Sequence, residues 1–176
     1  MKTCILIVLV VVLTVLNIKA QDNLPQTVKS VDLKKYVGLW YEVAKIPNRF
    51  QKQCVKGTTA QYNINDDGEI DVINSCITEE GTRDIANGLA RIVDKKTNAK
   101  LEVSFVSLFG WHLFWGDYWV LGLGENYEYA VVGTPSRKYG WILSRTPELD
   151  KEKLDKAFEI FINAGYDISK FEISKQ

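Results

Sequence analysis

Histidine is nearly absent from this chain: among 176 residues only His112 carries an imidazole. A Ser–His–Asp triad would have to be built on that one residue, and neither a Gly-x-Ser-x-Gly elbow nor a Gly-rich phosphate loop accompanies it. Metal-ligand spacing is missing as well, because Cys4, Cys54 and Cys76 include no Cys-x-x-Cys pair. The expectation is a protein that is not an enzyme and uses no metal and no cofactor. An excess of either charge is also lacking. The 22 basic residues match 22 acidic ones, so no net field draws the chain towards nucleic acid. Internal repeats, low-complexity tracts and linkers are absent, and a length of this size with 46% hydrophobic residues suits one domain able to bury its own core.

What is present begins with a compositional island. Lys2 precedes an uncharged apolar run from Ile5 to Leu16, and Ala20 precedes the polar Gln21-Asp22-Asn23. A membrane-spanning helix needs roughly 20 apolar residues, and Asn17 and Lys19 interrupt this run well before that. The layout is that of a secretory signal peptide over residues 1–20, leaving residues 21–176 as a binding domain that is secreted or periplasmic. Cys4 lies ahead of the apolar run, where it cannot serve as the lipid-bearing cysteine of a bacterial lipoprotein, and it would leave with the signal. Cys54 and Cys76 would then enter an oxidising compartment as an even pair, for which a disulfide is the expectation. It would close a loop of about 22 residues and contribute roughly 3 kcal/mol.

Beyond Asp32 the chain divides into short apolar-rich runs separated by turn residues. Strands are predicted at 39–46, 55–64, 69–77, 84–93, 99–106, 117–123, 127–133 and 139–145. Alternation puts Ala60, Tyr62 and Ile64 on one face, as it does Ile70, Val72 and Asn74, and Leu101, Val103 and Phe105. Gln61, Asn63, Asp71, Glu102 and Ser104 are expected to be solvated. One wet and one apolar face per strand suits a closed barrel, and a two-sheet sandwich would alternate in the same way. Asp67-Gly68 marks a hairpin. A regular two-residue turn there would set Cys76 opposite Thr59, so the Cys54–Cys76 bond requires a bulge or a chain that folds back. After Pro147, Leu154, Ala157, Phe158, Phe161 and Ile162 recur at helical spacing, with Gly165 as the stop and Lys151, Glu152, Asp155 and Glu159 on the wet face. A short last strand is expected near Phe171 and Ile173.

Two separated motifs carry a family resemblance: Tyr36-Val37-Gly38-Leu39-Trp40-Tyr41-Glu42 near the start of the first strand and Trp141-Ile142-Leu143-Ser144-Arg145-Thr146-Pro147 at the end of the eighth. Together with the strand count and the helix they resemble the lipocalins, in the branch of bacterial outer-membrane lipocalins and apolipoprotein D, over about residues 31–173. The resemblance implies an all-β fold, an eight-stranded antiparallel up-and-down β-barrel with one C-terminal α-helix packed on the outside. It also implies structural roles for Gly38, Trp40 and Arg145 at the closed end, with the guanidinium over the indole, and a helical turn at 32–36 capping that end. The family's third motif corresponds to 123–127, where Gly124 replaces its Asp.

Such a barrel would hold a small hydrophobic ligand, a fatty acid, lysophospholipid or similar lipid. Ala60, Gly88, Ala90, Gly122 and Gly133 are predicted to point inward and to leave a cavity lined by Phe50, Tyr62, Val72, Asn74, Phe105, Tyr118, Val120 and Trp141. Burying a chain of about fourteen carbons would gain roughly 11 kcal/mol, enough for micromolar binding after ordering costs. Glu42 shares a face with Trp40 and would need a donor partner inside. Between the fifth and sixth strands runs an unusually apolar connection, in which Leu108, Phe109, Trp111, Phe114 and Trp115 mark a ligand entrance or a contact with a membrane surface. Arg49, Lys52, Arg83, Arg137 and Lys138 lie near the same end, where they could meet an anionic head group. Competing expectations are a protein-interaction module working through residues 108–115 and a lipid-processing enzyme; a monomer and a dimer are equally compatible with the residues.

Overall fold

The structure, a computed structural model, describes residues 24–176; the segment read as a signal peptide lies outside the described residues. Eight strands make the barrel wall: β1 (Gly38–Lys45), β2 (Lys56–Ile64), β3 (Ile70–Ile77), β4 (Arg83–Ile92), β5 (Lys100–Ser104), β8 (Gly116–Leu123), β9 (Tyr129–Gly133) and β10 (Gly140–Ser144). Between β5 and β8 a separate hairpin is formed by β6 (Val106–Leu108) and β7 (Trp111–Leu113). All wall strands pair antiparallel with their neighbours, and β10 returns to β1 through Tyr41↔Ser144 and Glu42↔Leu143. That closure decides for the barrel over the sandwich.

Two apolar layers follow from the alternation. Inside the barrel lie Trp40, Ala60, Tyr62, Val72, Leu101 and Leu143. Outside it, helix α2 (Lys151–Asn163) covers Val43, Ala44, Val131 and Ile142 with Ala157 and Phe161; the fully buried Phe161 ring contributes roughly 2–3 kcal/mol. Asp150 caps α2 by accepting from the Lys153 N–H, and Gly165, at φ +79°, ends it as its N–H reaches the Ile162 carbonyl and that of Tyr166 reaches Phe161. Ile162, expected on the apolar stripe, is half exposed; Ile160 packs on the wall instead, against Gly122.

Register shifts decide which residues face inward. In β8 the shift between Val120 and Gly122 turns Gly122 outward beneath Ile160, and Gly133 likewise faces out, against Tyr166 and Leu121. Both were expected to enlarge the interior, and neither does. In β1 a shift between Glu42 and Ala44 turns Val43 and Ala44 out and Glu42 in. The β2–β3 hairpin turns over residues 65–69, with Ile64 opposite Ile70 and Thr59 opposite Ser75 rather than Cys76. A further shift between Lys56 and Thr59 lets Cys54 reach Cys76, and the disulfide forms with a Cα–Cα separation of 5.5 Å. Ile64 lies past the last β1 pair, Gly38↔Tyr62, and is exposed.

Where β1 has parted from β2, the C-terminal strand β11 (Glu172–Ile173) takes its place along the wall, pairing Ala44↔Ile173 and Lys45↔Glu172. Beyond it the Ser174 N–H donates to the Val43 carbonyl and the Gly57 N–H to the Lys175 carbonyl. The Gln176 amide donates to the carbonyls of Glu42 and Thr58, so residues 172–176 bridge the two strands.

Candidate functional site: the barrel interior and its mouth

At the closed end, the helical turn α1 (Leu33–Tyr36), N-capped by the Asp32 carboxylate, carries Tyr36 into the barrel. Its hydroxyl lies 2.7 Å from that of Tyr118 on β8, and the Tyr62 hydroxyl on β2 lies 3.0 Å from Tyr118 on the other side. Burial is the main reason the three phenols resist ionisation: it pushes Tyr62 up to about 12 and holds Tyr36 and Tyr118 well above the usual range. Beneath this floor Trp40 donates its indole N–H to the Tyr36 carbonyl at 2.8 Å. Arg145 stacks on the indole at 3.7 Å and donates to the carbonyls of Leu39, Lys35, Tyr36 and Val37. Gly38, at φ +100°, makes room for it, since a Cβ there would lie 3.3 Å from Nη1.

Above the tyrosines, Ile70, Ala90, Leu101, Val103 and Val120 close around a cavity of about 10 Å³. Room for about one water is far less than a ligand-sized cavity. The floor tyrosines fill that space, and of the glycines expected to leave it empty only Gly88 faces in, with the Phe105 ring laid over it. Towards the mouth the wall opens: Ala86, opposite the inward-facing Asn74, is exposed, as is Phe105, and Trp141 is half-buried.

The mouth has a polar girdle. Glu42, 3% exposed, accepts from the Gln51 amide at 2.6 Å and the Ser174 hydroxyl at 2.7 Å, with the Lys45 ammonium 3.3 Å away. Gln51 accepts in turn from the Trp141 indole at 3.0 Å and the Asn48 amide at 2.7 Å. The donor partners that a buried Glu42 requires are thus supplied by the rim itself. Trp141 stacks on Tyr139, and Phe50, on the 3-10 turn Arg49–Gln51, also packs on Tyr139, at 5.8 Å between ring centres. Asn74 Oδ1 is buried and has no partner among the described residues.

Of the eight residues expected to face a ligand, Tyr62, Val72, Tyr118 and Val120 fall in the packed lower layer. Asn74, Phe105 and Trp141 fall above it, and Phe50 stands exposed at the rim. Tyr36, Lys45 and Gln51 belong to the same interior and were not expected there. Tyr36 stands two residues before Gly38 in the first motif, a signal that was available; Gln51 left none, because a loop conformation brings it in.

The connection read as a loop over 107–115 is the β6–β7 hairpin. Phe109 and Gly110 form its two-residue turn with φ of 49° and 81°, the left-handed pair that a tight hairpin requires. Ser104, expected in solvent, is buried because its hydroxyl donates to the Leu113 and Val106 carbonyls and pins the hairpin base. Trp115 is held there too, its ring 4.1 Å from the Arg91 guanidinium. Phe109, Trp111 and Phe114 stand 92%, 75% and 82% exposed, and Leu108 more than half. Arg137 donates its Nε–H to the Ala164 carbonyl at 2.7 Å, beyond the end of α2. At the closed end the Glu128 carboxylate lies where a Gly124 side chain would go and accepts from the Asn126 N–H.

A closed antiparallel barrel stoppered at one end by a helical turn, clamped there by an Arg–Trp pair and flanked by one helix, is the calyx architecture of the lipocalins. Residues 31–176 match the lipocalin-like domain family. Temperature-induced lipocalin-1 of Arabidopsis thaliana is 39% identical over 154 residues, 86% of this chain and 82% of that protein. The outer membrane lipoprotein Blc of Escherichia coli K12 is 39% identical over 145 residues, 82% and 78% of the respective chains. Insecticyanin of the tobacco hornworm Manduca sexta superposes with a TM-score of 0.69 at 28% identity, covering 86% of this chain and 84% of its own. The chain belongs to the lipocalin family.

Proposed function

We propose that this protein is a carrier, secreted or periplasmic after removal of residues 1–20, that holds one small hydrophobic ligand such as a fatty acid or lysophospholipid and does no chemistry on it. The observation that carries the reading is the upper calyx, an inward-facing surface of Ala86, Gly88, Phe105 and Trp141 that is open to solvent above a packed apolar layer. Apolar walls with a few placed polar groups are how ligand pockets are built, and membership of the lipocalin family supports the same function. The aromatic hairpin beside the mouth extends the reading. Apart from His112, Phe105–Trp115 contains no ionisable side chain, and a bare aromatic tip of this kind suits transient insertion into a lipid surface from which cargo is taken.

Extraction tests the carrier. Denaturing the purified protein in organic solvent is expected to release a lipid detectable by mass spectrometry, and a lipophilic fluorophore bound by the emptied protein is expected to be displaced by fatty acids or lysophospholipids. Failure of both would overturn the carrier and leave the hairpin as a protein-docking surface. Turnover of a lipid ester that is lost in His112→Ala would establish an enzyme instead.

A further inference from the structure

Where β1 parts from β2, the C-terminal tail and the start of β2 enclose a cleft of about 160 Å³, lined among others by Lys45, Lys56, Thr58, Glu172, Ser174 and Lys175. Both of its walls are held from behind. The Cys54–Cys76 disulfide ties the start of β2 to β3. On the other side the Ser174 N–H donates to the Val43 carbonyl, and the Lys175 carbonyl accepts from the Gly57 N–H. A cleft built between such fixed segments loses little freedom when a ligand enters it.

Two of its side chains are nearly buried and short of acceptors. Lys45 is 7% exposed, yet its ammonium lies 3.3 Å from the Glu42 carboxylate and 3.8 Å from that of Glu172, both beyond the roughly 3.2 Å of a good N–H···O hydrogen bond. Thr58 is also 7% exposed, and its hydroxyl has no hydrogen-bond partner among the described residues. An ammonium brings three N–H donors and a hydroxyl one more. Buried donors are expected to be met by acceptors.

Charge and size say which acceptor fits. Lys56 and Lys175 stand exposed at the rim, so three ammonium groups face one lining carboxylate, Glu172. Glu42, behind Lys45, already accepts from the Gln51 amide and the Ser174 hydroxyl. The demand left over is for negative charge and for several oxygens. By volume the cleft takes roughly ten water-sized oxygens, which admits a tetrahedral oxyanion with the atoms it is joined to. A phosphate monoester brings about two negative charges and three free oxygens, a closer match to this donor set than the one charge and two oxygens of a carboxylate.

We propose that the seam between β1, β2 and the C-terminal tail is a phosphate-binding site, with Lys45 and Thr58 as its buried donors and Lys56 and Lys175 at its rim. It lies at the mouth, where Lys45 stands opposite Trp141. The phosphate therefore comes either from the head group of a lipid seated in the calyx or from a free phosphate, and the site stands whether or not the calyx carries lipid.

Inorganic phosphate is the first probe, titrated at fixed pH and ionic strength and followed by the width of its phosphorus NMR line. Binding is expected to weaken at least about tenfold in Lys45→Met/Thr58→Val, the worth of a hydrogen bond to a charged group. Lys56→Gln/Lys175→Gln, which alters only exposed side chains, is expected to weaken it several-fold and keeps the test available if the buried variant does not fold. Glu172→Gln is expected to tighten binding, because it removes a negative charge from the lining. An unbroadened line, or binding untouched by the rim variant and by Glu172→Gln, would overturn the site and leave its donors to water. Lysophosphatidate and the monoacylglycerol of the same chain then identify the source by displacing a lipophilic fluorophore from the calyx. A preference of about tenfold for lysophosphatidate that disappears in Lys45→Met/Thr58→Val assigns the site to a lipid head group, and equal displacement beside phosphate binding assigns it to free phosphate. Phosphate binding without any fluorophore binding would overturn the carrier and uphold the seam.

Discussion

The Arg145 guanidinium lies 3.7 Å from the centre of the Trp40 indole and donates to four successive or near-successive carbonyls, Lys35, Tyr36, Val37 and Leu39. One planar cation from just past the end of β10 thereby ties down the turn that stoppers the barrel. Arg145→Ala should cost about 2–4 kcal/mol, from lost stacking and from carbonyls left short of donors. Arg145→Lys should recover less than half of that, because an ammonium cannot spread its donors across the same fan. Urea unfolding midpoints provide the measurement; a lysine variant as stable as the parent would refute this account of the clamp.

Alkaline pH should unfold the protein through its floor. The folded pKa of Tyr62 is raised to about 12, and those of Tyr36 and Tyr118 are raised too, from the ordinary 10.0. The unfolded chain therefore loses these protons first. Stability from them is full below pH 10 and falls as pH rises from there through the folded values. Phenolate absorbance followed against circular dichroism should show these three tyrosines ionising together with loss of structure. Their ionisation within an intact fold would contradict the buried floor.

Reducing the Cys54–Cys76 bond should remove about 3 kcal/mol, because it frees a loop spanning 22 positions in the unfolded chain. The thermal midpoint is expected to fall in reductant for the parent and to be insensitive to reductant in Cys54→Ser/Cys76→Ser. A parent that melts at the same temperature in both conditions would show that the bond adds nothing.

On the hairpin, Phe109→Ser, Trp111→Ser and Phe114→Ser combined should change stability by little, since these side chains are exposed. Co-sedimentation with phosphatidylcholine vesicles should drop at least about tenfold, as expected for losing three apolar anchors. Undiminished sedimentation of the triple variant would place any lipid contact elsewhere on the surface.

Period-two alternation made the wall strands legible, because it is a local property that survives whatever the chain does later. Trp40 and Arg145 were legible through their motifs. What remained hidden depended on single-residue irregularities. The shift at Val120/Gly122 reverses the parity of β8 and sends Gly122 to the helix side, and no composition signal announces it. The hairpin escaped notice because its strands are only three residues each and turn on Phe109-Gly110 rather than on Asn-Gly. Ile160 and Ile162 are both apolar at helix-compatible positions, and only docking against Gly122 decides which is covered. The tyrosine floor joins positions 56 and 82 residues apart, a distance that local patterning does not read.

The wall bridge at residues 172–176 sets an order on synthesis. β1 is the first wall strand to be made, yet its partners β10 and β11 are made last, roughly a hundred residues later. A nascent chain on the ribosome can therefore zip β2 to β9 while the edge of β1 waits unpaired, with Val43 and Ala44 still uncovered by α2. Closing so long a loop makes cyclisation of the barrel, not pairing of its hairpins, the slow event of folding. During that interval the exposed edge is where a neighbouring nascent chain would mistakenly attach.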